Sequence, residues 1–412
     1  MGSVQSKPRS PFKGMDSQDT LLSPNPSFTP STTNVSEPCA PANAPLRSAL
    51  KSPVNSTEIP LEHYIRAVMP TSVQAKLPSP LFRRTSWIST PTLQKGVKSR
   101  VLLFTGSFNP PHIGHKLLLT HAFFRSAYPN VIAAIILPSP SPSVHRKAAG
   151  IMIKDGRKAS DSDFDDVDNG SVVAGARRQN QYAIKRKNRV KLWRDELLSP
   201  WVWIAKYGKE CYTAVFRLEG LARKDGFDLE FVVIGGTDYS SIEAGCEFWE
   251  AEINEVIIGD FFRPGPCRGV DGSLKKLEPC TEWKCLEDVE ALLRRVDGGE
   301  VGVVEVLLLL YPDEDERLAE VYGKAGKKFS ALKGPARQIL EQRLMRSGAS
   351  WKCEHREDGR QMVQFVPING VGDEPPKVEV SSSAIRKVLW VMTPKEARKE
   401  LEDVALDAKN VW

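Results

Sequence analysis

The stretch VLLFTGSFNPPHIGHKLLLTHAFF, residues 101–124, joins two aliphatic runs through a loop of glycine, proline, asparagine and histidine. The apolar residues ahead of Gly106 predict a buried strand, and Gly114 to Tyr128 predicts a helix. An aliphatic strand that ends in glycine and leads into a helix has the layout of a nucleotide site in an open α/β sheet. Gly106 permits a tight turn and a close backbone approach to phosphate. Pro110 and Pro111 stiffen the loop and stop the strand. His112 and His115 stand three residues apart and share one face of the helix start. Free N–H groups and the helix dipole favour an anion there. Two imidazoles at that point can donate to a polyphosphate without the permanent charge of lysine. For a lone HxxH, a helix start with two satisfied histidines is the plainer explanation. The full ten residues behind a strand favour phosphate.

The rest of the chain alternates strands and helical stretches. VIAAIILP (131–138), DLEFVVIGG (228–236), INEVIIGD (253–260) and QMVQFVPI (361–368) predict strands. VGVVEVLLLLYP (301–312) predicts a further strand or strand pair, and helices are expected near 188–198, 335–346 and from Ser381 onward. This alternation predicts an α/β fold, a Rossmann-like, doubly wound, mostly parallel sheet with helices on both faces. Residues 1–97 are rich in Ser, Pro, Thr and Asn and predict a disordered tail ahead of one domain over 98–412. A low-complexity insertion is expected at about 150–185, where acidic DSDFDDVD gives way to basic RRQNQYAIKRKNRVK.

GSFNPPHIGH resembles the GxFxPxHxGH signature of the nucleotidylyltransferase superfamily, and its FNP form is nearest the nicotinamide or nicotinate mononucleotide adenylyltransferases. Three more stretches follow in that family's order. GGTDYSSIEAGCEFW resembles the GxD…W segment through Gly236, Asp238 and Trp249, and FFRPG resembles an arginine–glycine turn through Arg263. VSSSAIR resembles ISSTxIR through Ser381, Ser382, Ser383, Ile385 and Arg386. The likeness runs from about residue 100 to 392, outside the tail and the insertion.

The resemblance implies transfer of the AMP moiety of ATP to nicotinamide mononucleotide or nicotinate mononucleotide, with Mg²⁺ accompanying ATP. It gives His112, His115 and Arg386 the catalytic roles. Gly106, Ser107, Phe108 and His115 would hold ATP, as would Ser382, Ser383, Ile385 and Arg386 from the far end of the chain. Asp238 would take ribose hydroxyls and Trp249 would stack on the pyridine ring, with Gly236 and Arg263 completing the site. There are departures. Ala384 stands where the family often has lysine, and Val378 about where many relatives carry asparagine. The family's Trp-Glu segment on the acceptor side has its nearest match in SPWVWIAKYG, with Trp201 and Trp203 but no glutamate. Lys147 is a weak match for the lysine after the second strand. The pattern resembles divergent fungal members more than the animal enzymes.

Composition sets outer bounds. Hydrophobic residues at 41% and charged residues at 26% describe a globular protein with polar segments, and a net charge of +6 is too mild to imply a nucleic-acid partner. Seven scattered cysteines form no disulfide framework and suit the cytoplasm or nucleus. Cys267, Cys280, Cys285, Cys353 and His355 include no CxxC pair, so isolated cysteines are expected rather than zinc. No apolar run is long enough to span a bilayer. Gly2 and Ser6 fit an N-myristoylation pattern with Lys7, Arg9 and Lys13 beside it, which would give weak membrane contact; the plainer alternative is an ordinary tail with a chance match. Arg177–Arg178 and Lys185–Arg189 match a bipartite nuclear signal or a solvated helix face. Three rival functions remain. A cytidylyltransferase would carry aspartate where this loop has Asn109. A class I aminoacyl-tRNA synthetase would need a KMSKS motif, which the chain lacks. A divergent ATP-binding protein acting through partners is compatible with the altered acceptor side.

Overall fold

The fold comes from a computed structural model. It describes residues 56–82, 90–141, 184–236, 255–260, 273–293, 302–319, 332–356, 361–367 and Ile385, with short breaks inside these ranges. The chain opens with β1 (Glu58–Pro60), α1 (Leu61–Val68), α2 (Thr71–Gln74) and β2 (Thr92–Gln94). Next come β3 (Lys98–Gly106), α3 (Ile113–Arg125), β4 (Val131–Pro138), α4 (Arg186–Glu196) and β5 (Val202–Ile204). Then follow α5 (Lys209–Val215), α6 (Leu218–Lys224), β6 (Asp228–Gly236), β7 (Glu255–Gly259) and β8 (Lys284–Leu286). The last are α7 (Val303–Leu310), α8 (Lys333–Ser347), β9 (Ser350–Glu354) and β10 (Met362–Val366).

Eight strands form one mixed sheet in the order β5-β4-β3-β6-β7-β10-β9-β8. From β5 to β10 every pairing is parallel, while β9 and β8 extend the edge antiparallel. Parallel strands covered on both faces read as continuous aliphatic runs, and β3, β4 and β7 do. Side-chain alternation sorts them into two cores. Leu102, Phe104, Ala134, Ile136, Val232 and Ile234 pack on one face beneath α3, α4, α7 and α8. Val101, Leu103, Ala133, Ile135, Val233 and Phe231 pack on the other beneath α1, α5 and α6.

Two expectations are corrected. Residues 301–312 are not strand: Val303–Leu310 is helix α7. Its most deeply buried positions, Val303, Val306, Leu307 and Leu310, follow the helical repeat, which a composition aliphatic but for Glu305 conceals. Nor is all of 1–97 a disordered tail. Leu61, Tyr64 and Ile65 of α1, with Met69, Val73, Leu81 and Phe82, lie in the second core, and the Tyr64 hydroxyl donates to Asp225 Oδ2 at 3.0 Å. Proline and serine dominate the composition here, yet the apolar residues between them cover a sheet face. Residues 1–55 and 83–89, with Gly2 and Ser6 among them, lie outside the described residues, as does the core of the insertion at 142–183. No helix among the described residues is long and apolar enough to cross a membrane.

Candidate functional site

β3 lies between β4 and β6, so the chain leaves it first toward one edge of the sheet and later toward the other. Connections diverging from such a point leave a crevice at the carboxyl ends of the strands. Three neighbouring strands end there in glycine: β3 at Gly106, β6 at Gly236 and β7 at Gly259, with Gly236 opposite Gly259. A Cβ added at Gly236 would meet no described atom within 4 Å. At Gly106 it would stand 3.0 Å from the Phe108 ring. Gly106 thus lies in tight contact with its own loop, which folds an aromatic ring back over the strand end.

Phe108 has a positive φ of 43°, a conformation costing a bulky residue on the order of 1–3 kcal/mol. Packing holds it there. Its ring meets Phe104 edge-on at 4.9 Å, His115 at 5.0 Å and Trp193 at 5.2 Å. The side chain is buried, so only the backbone of Phe108 is left to serve a ligand. Asn109 is also buried, its Oδ1 accepting the Ile184 N–H at 2.8 Å.

His112 closes the loop in extended conformation, and α3 begins at Ile113. The His112 carbonyl accepts from the N–H groups of His115 at 3.0 Å and Lys116 at 3.3 Å. The two imidazoles lie face to face, with centroids 3.6 Å apart and planes tilted by 32°. The His112 N–H donates to His115 Nδ1 at 3.3 Å. That bond occupies the Nδ1 lone pair and leaves Nε2 as the ring nitrogen able to donate. A strand end, a helix start and two stacked imidazoles thus converge on one rim, an arrangement suited to an anion.

The structure brings Gly106, Ser107, Phe108, His112, His115 and Gly236 to the carboxyl ends of β3 and β6. Ile385 is buried as a core residue. Asp238, Trp249, Arg263, Ser381, Ser382, Ser383 and Arg386 lie outside the described residues, as does Lys147. Trp201 and Trp203 are no substrate platform. Trp201 stacks on Phe123 at 3.8 Å in the first core, and Trp203, on β5, is buried in the second. A cavity of about 410 Å³ lies elsewhere, lined by Trp283, Trp351 and Phe365 among others, and none of the expected site residues borders it. Among the described residues no three His, Cys, Asp or Glu side chains gather as a metal site. Cys280 and Cys353 are both buried, and a hydrogen bond from Cys353 holds the Cys280 thiol below its ordinary pKa. Of the basic cluster at 185–189, Lys185 and Lys187 are exposed, but Arg189 is fully buried. No family model matches the chain, and no curated protein matches it.

Proposed function

We propose that the sheet is a Rossmann-like doubly wound sheet and that the chain is the nucleotidylyltransferase its loop resembles. It transfers the AMP moiety of ATP to nicotinamide mononucleotide or nicotinate mononucleotide, forming NAD or its deamido form and pyrophosphate. The observation that carries this is the His112–His115 pair at the start of α3, its ring centroids 3.6 Å apart and His115 Nδ1 accepting the His112 N–H.

In this reaction a phosphate oxygen of the mononucleotide attacks the α-phosphorus of MgATP. The bond from that phosphorus to the bridging oxygen breaks, and pyrophosphate departs. The attacking phosphate is already ionised, so no general base is needed. What remains is positioning and stabilisation of charge on the leaving oxygens. The His115 Nε2–H donates to those oxygens, and the α3 N-terminus adds its dipole. Mg²⁺ arrives with ATP and neutralises phosphate charge. Ser382, Ser383 and Arg386 take the second phosphate grip, Asp238 the ribose, Trp249 the pyridine ring, and Arg263 the nucleotide, each on the strength of the resemblance.

A second reading rests on one observation. The nearest match to the family's acceptor-side Trp-Glu segment is a core strand, with both tryptophans buried. This favours an altered acceptor, or a protein that binds ATP and acts through partners. The test follows pyrophosphate and dinucleotide with MgATP and each mononucleotide separately. Dinucleotide from one of them names the acceptor. ATP binding without product from either sets the reaction aside in favour of the second reading.

A further inference from the structure

Behind the histidine loop stands a side chain with no part in the proposed reaction. Arg189 of α4 is fully buried. Its Nε donates to the Ile184 carbonyl at 3.0 Å, its Nη2 to the Ser139 carbonyl at 2.7 Å, and its Nη1 to the Ser107 carbonyl. These carbonyls belong to three segments: the approach to α4, the residue after β4, and the start of the loop. Two more bonds complete the cross-tie. Ile184 N–H donates to Asn109 Oδ1 at 2.8 Å, and Ser139 N–H donates to the Gly106 carbonyl at 2.8 Å.

The loop is therefore pinned at Gly106, Ser107 and Asn109, on both sides of the strained Phe108. Reaching three carbonyls on three segments takes the rigid fork of a guanidinium; an ammonium is a single point on a flexible stem. Among the described residues no carboxylate pairs with Arg189. Burial, and then the nearby Arg186, push its pKa down to about 10, so it remains a cation at neutral pH.

We propose that Arg189 is the positioning residue of the Gly106–His115 loop. By holding the Ser107 carbonyl against α4, it fixes the path into α3 and so the placement of His112 and His115. Its charge, balanced by no described carboxylate, makes the loop selective for polyphosphate. The ligand class rests on the phosphate role proposed for the loop; the positioning does not.

Inorganic tripolyphosphate is the probe, titrated calorimetrically into the full chain as wild type, Arg189→Lys, Arg189→Met and Ile65→Ala. Ile65 lies in the core on the opposite face of the sheet, so its truncation reports general destabilisation. Both Arg189 variants are expected to bind at least about tenfold more weakly, a loss of about 1.4 kcal/mol. Ile65→Ala is expected to melt earlier yet bind like wild type. Arg189→Lys, which keeps the charge, carries the test if Arg189→Met does not fold. Wild-type affinity in Arg189→Lys, or an equal loss in Ile65→Ala, overturns the proposal. If the wild-type chain takes no tripolyphosphate, the phosphate role of the loop fails on its own. Imidazole NMR signals of His112 and His115 then decide: shifts in Arg189→Lys but not Ile65→Ala sustain the positioning role, and none in either overturns it.

Discussion

At the amino ends of β3, β6 and β7, Lys98, Arg100, Glu230 and Glu255 pair with one another. Arg100 grips Glu255 with two bonds, at 2.8 and 3.1 Å, and lies 3.5 Å from Glu230, which also meets Lys98 at 3.3 Å. The Tyr128 ring lies 5.1 Å from the Arg100 guanidinium. Burial pulls the Arg100 pKa down, but the hydrogen bonds and charge of Glu255, with Glu230, outweigh it and hold Arg100 above its ordinary value. At the carboxyl ends of the same strands the chemistry is reversed. Side chains shrink to Gly106, Gly236 and Gly259, donors collect at the start of α3, and Arg189 is a cation held by carbonyls alone. One rim spends its charges on itself; the other, among the described residues, presents glycines and the N–H groups that open α3. Local balance of charge thus separates the end of the sheet that closes the fold from the end where we propose the ligand binds.

The largest expected effect lies at the amino rim. Glu255→Ala removes the two-bonded partner of the buried Arg100 guanidinium, and should cost about 3 kcal/mol of unfolding free energy. Chemical denaturation measures this, and turnover per folded molecule should not change; a loss of turnover at full stability would collapse the division between rims. A smaller effect comes from His121, fully buried on α3 with its Nε2 3.1 Å from the Leu310 carbonyl. Burial first, then Arg125, hold its pKa well below 6.5. The unfolded chain takes up a proton there below about pH 6.5, and the folded chain does not. Stability is therefore complete above that pH and falls beneath it, by up to about 1.4 kcal/mol per unit. Denaturant midpoints between pH 7.5 and 5.5 should drop less steeply in His121→Gln, and parallel curves would remove His121 from the account.

The mildest prediction sharpens the carboxyl rim. Gly236→Ala adds a methyl where no described atom lies within 4 Å, so stability should stay within about 0.5 kcal/mol. The KM for ATP should nonetheless rise about three- to tenfold, the equivalent of a single lost hydrogen bond, if the nucleotide passes over the strand end. An unchanged KM would move the ligand away from β6.

The strand, loop and helix over 98–125 were legible because proline and glycine punctuate two apolar runs of different period. Helix α7 was not, since eight consecutive residues with a single glutamate give a buried helix and a buried strand almost the same pattern. In α1 the repeat Leu61, Tyr64, Ile65, Val68 was present, but prolines and serines around it suggested a tail. Along β5, Val202 and Ile204 face the first core and Trp203 the second, the alternation of a strand covered on both faces, while Trp201 stacks in the first core just ahead of the strand. Arg189 left one trace in the sequence. Arg186, Arg189, Val190 and Trp193 share a helical stripe, so an arginine stands where an apolar residue would be expected. Its three carbonyl partners come from distant segments, and no local pattern encodes them.

Turnover of His115→Ala beside wild type, with melting temperature measured on the same samples, addresses the carboxyl rim most directly. Loss of a preorganised donor to the leaving phosphates should lower dinucleotide formation about 100- to 1,000-fold while the melting temperature holds. Near-normal turnover in that variant would contradict the phosphate role of the histidine pair and the function built on it.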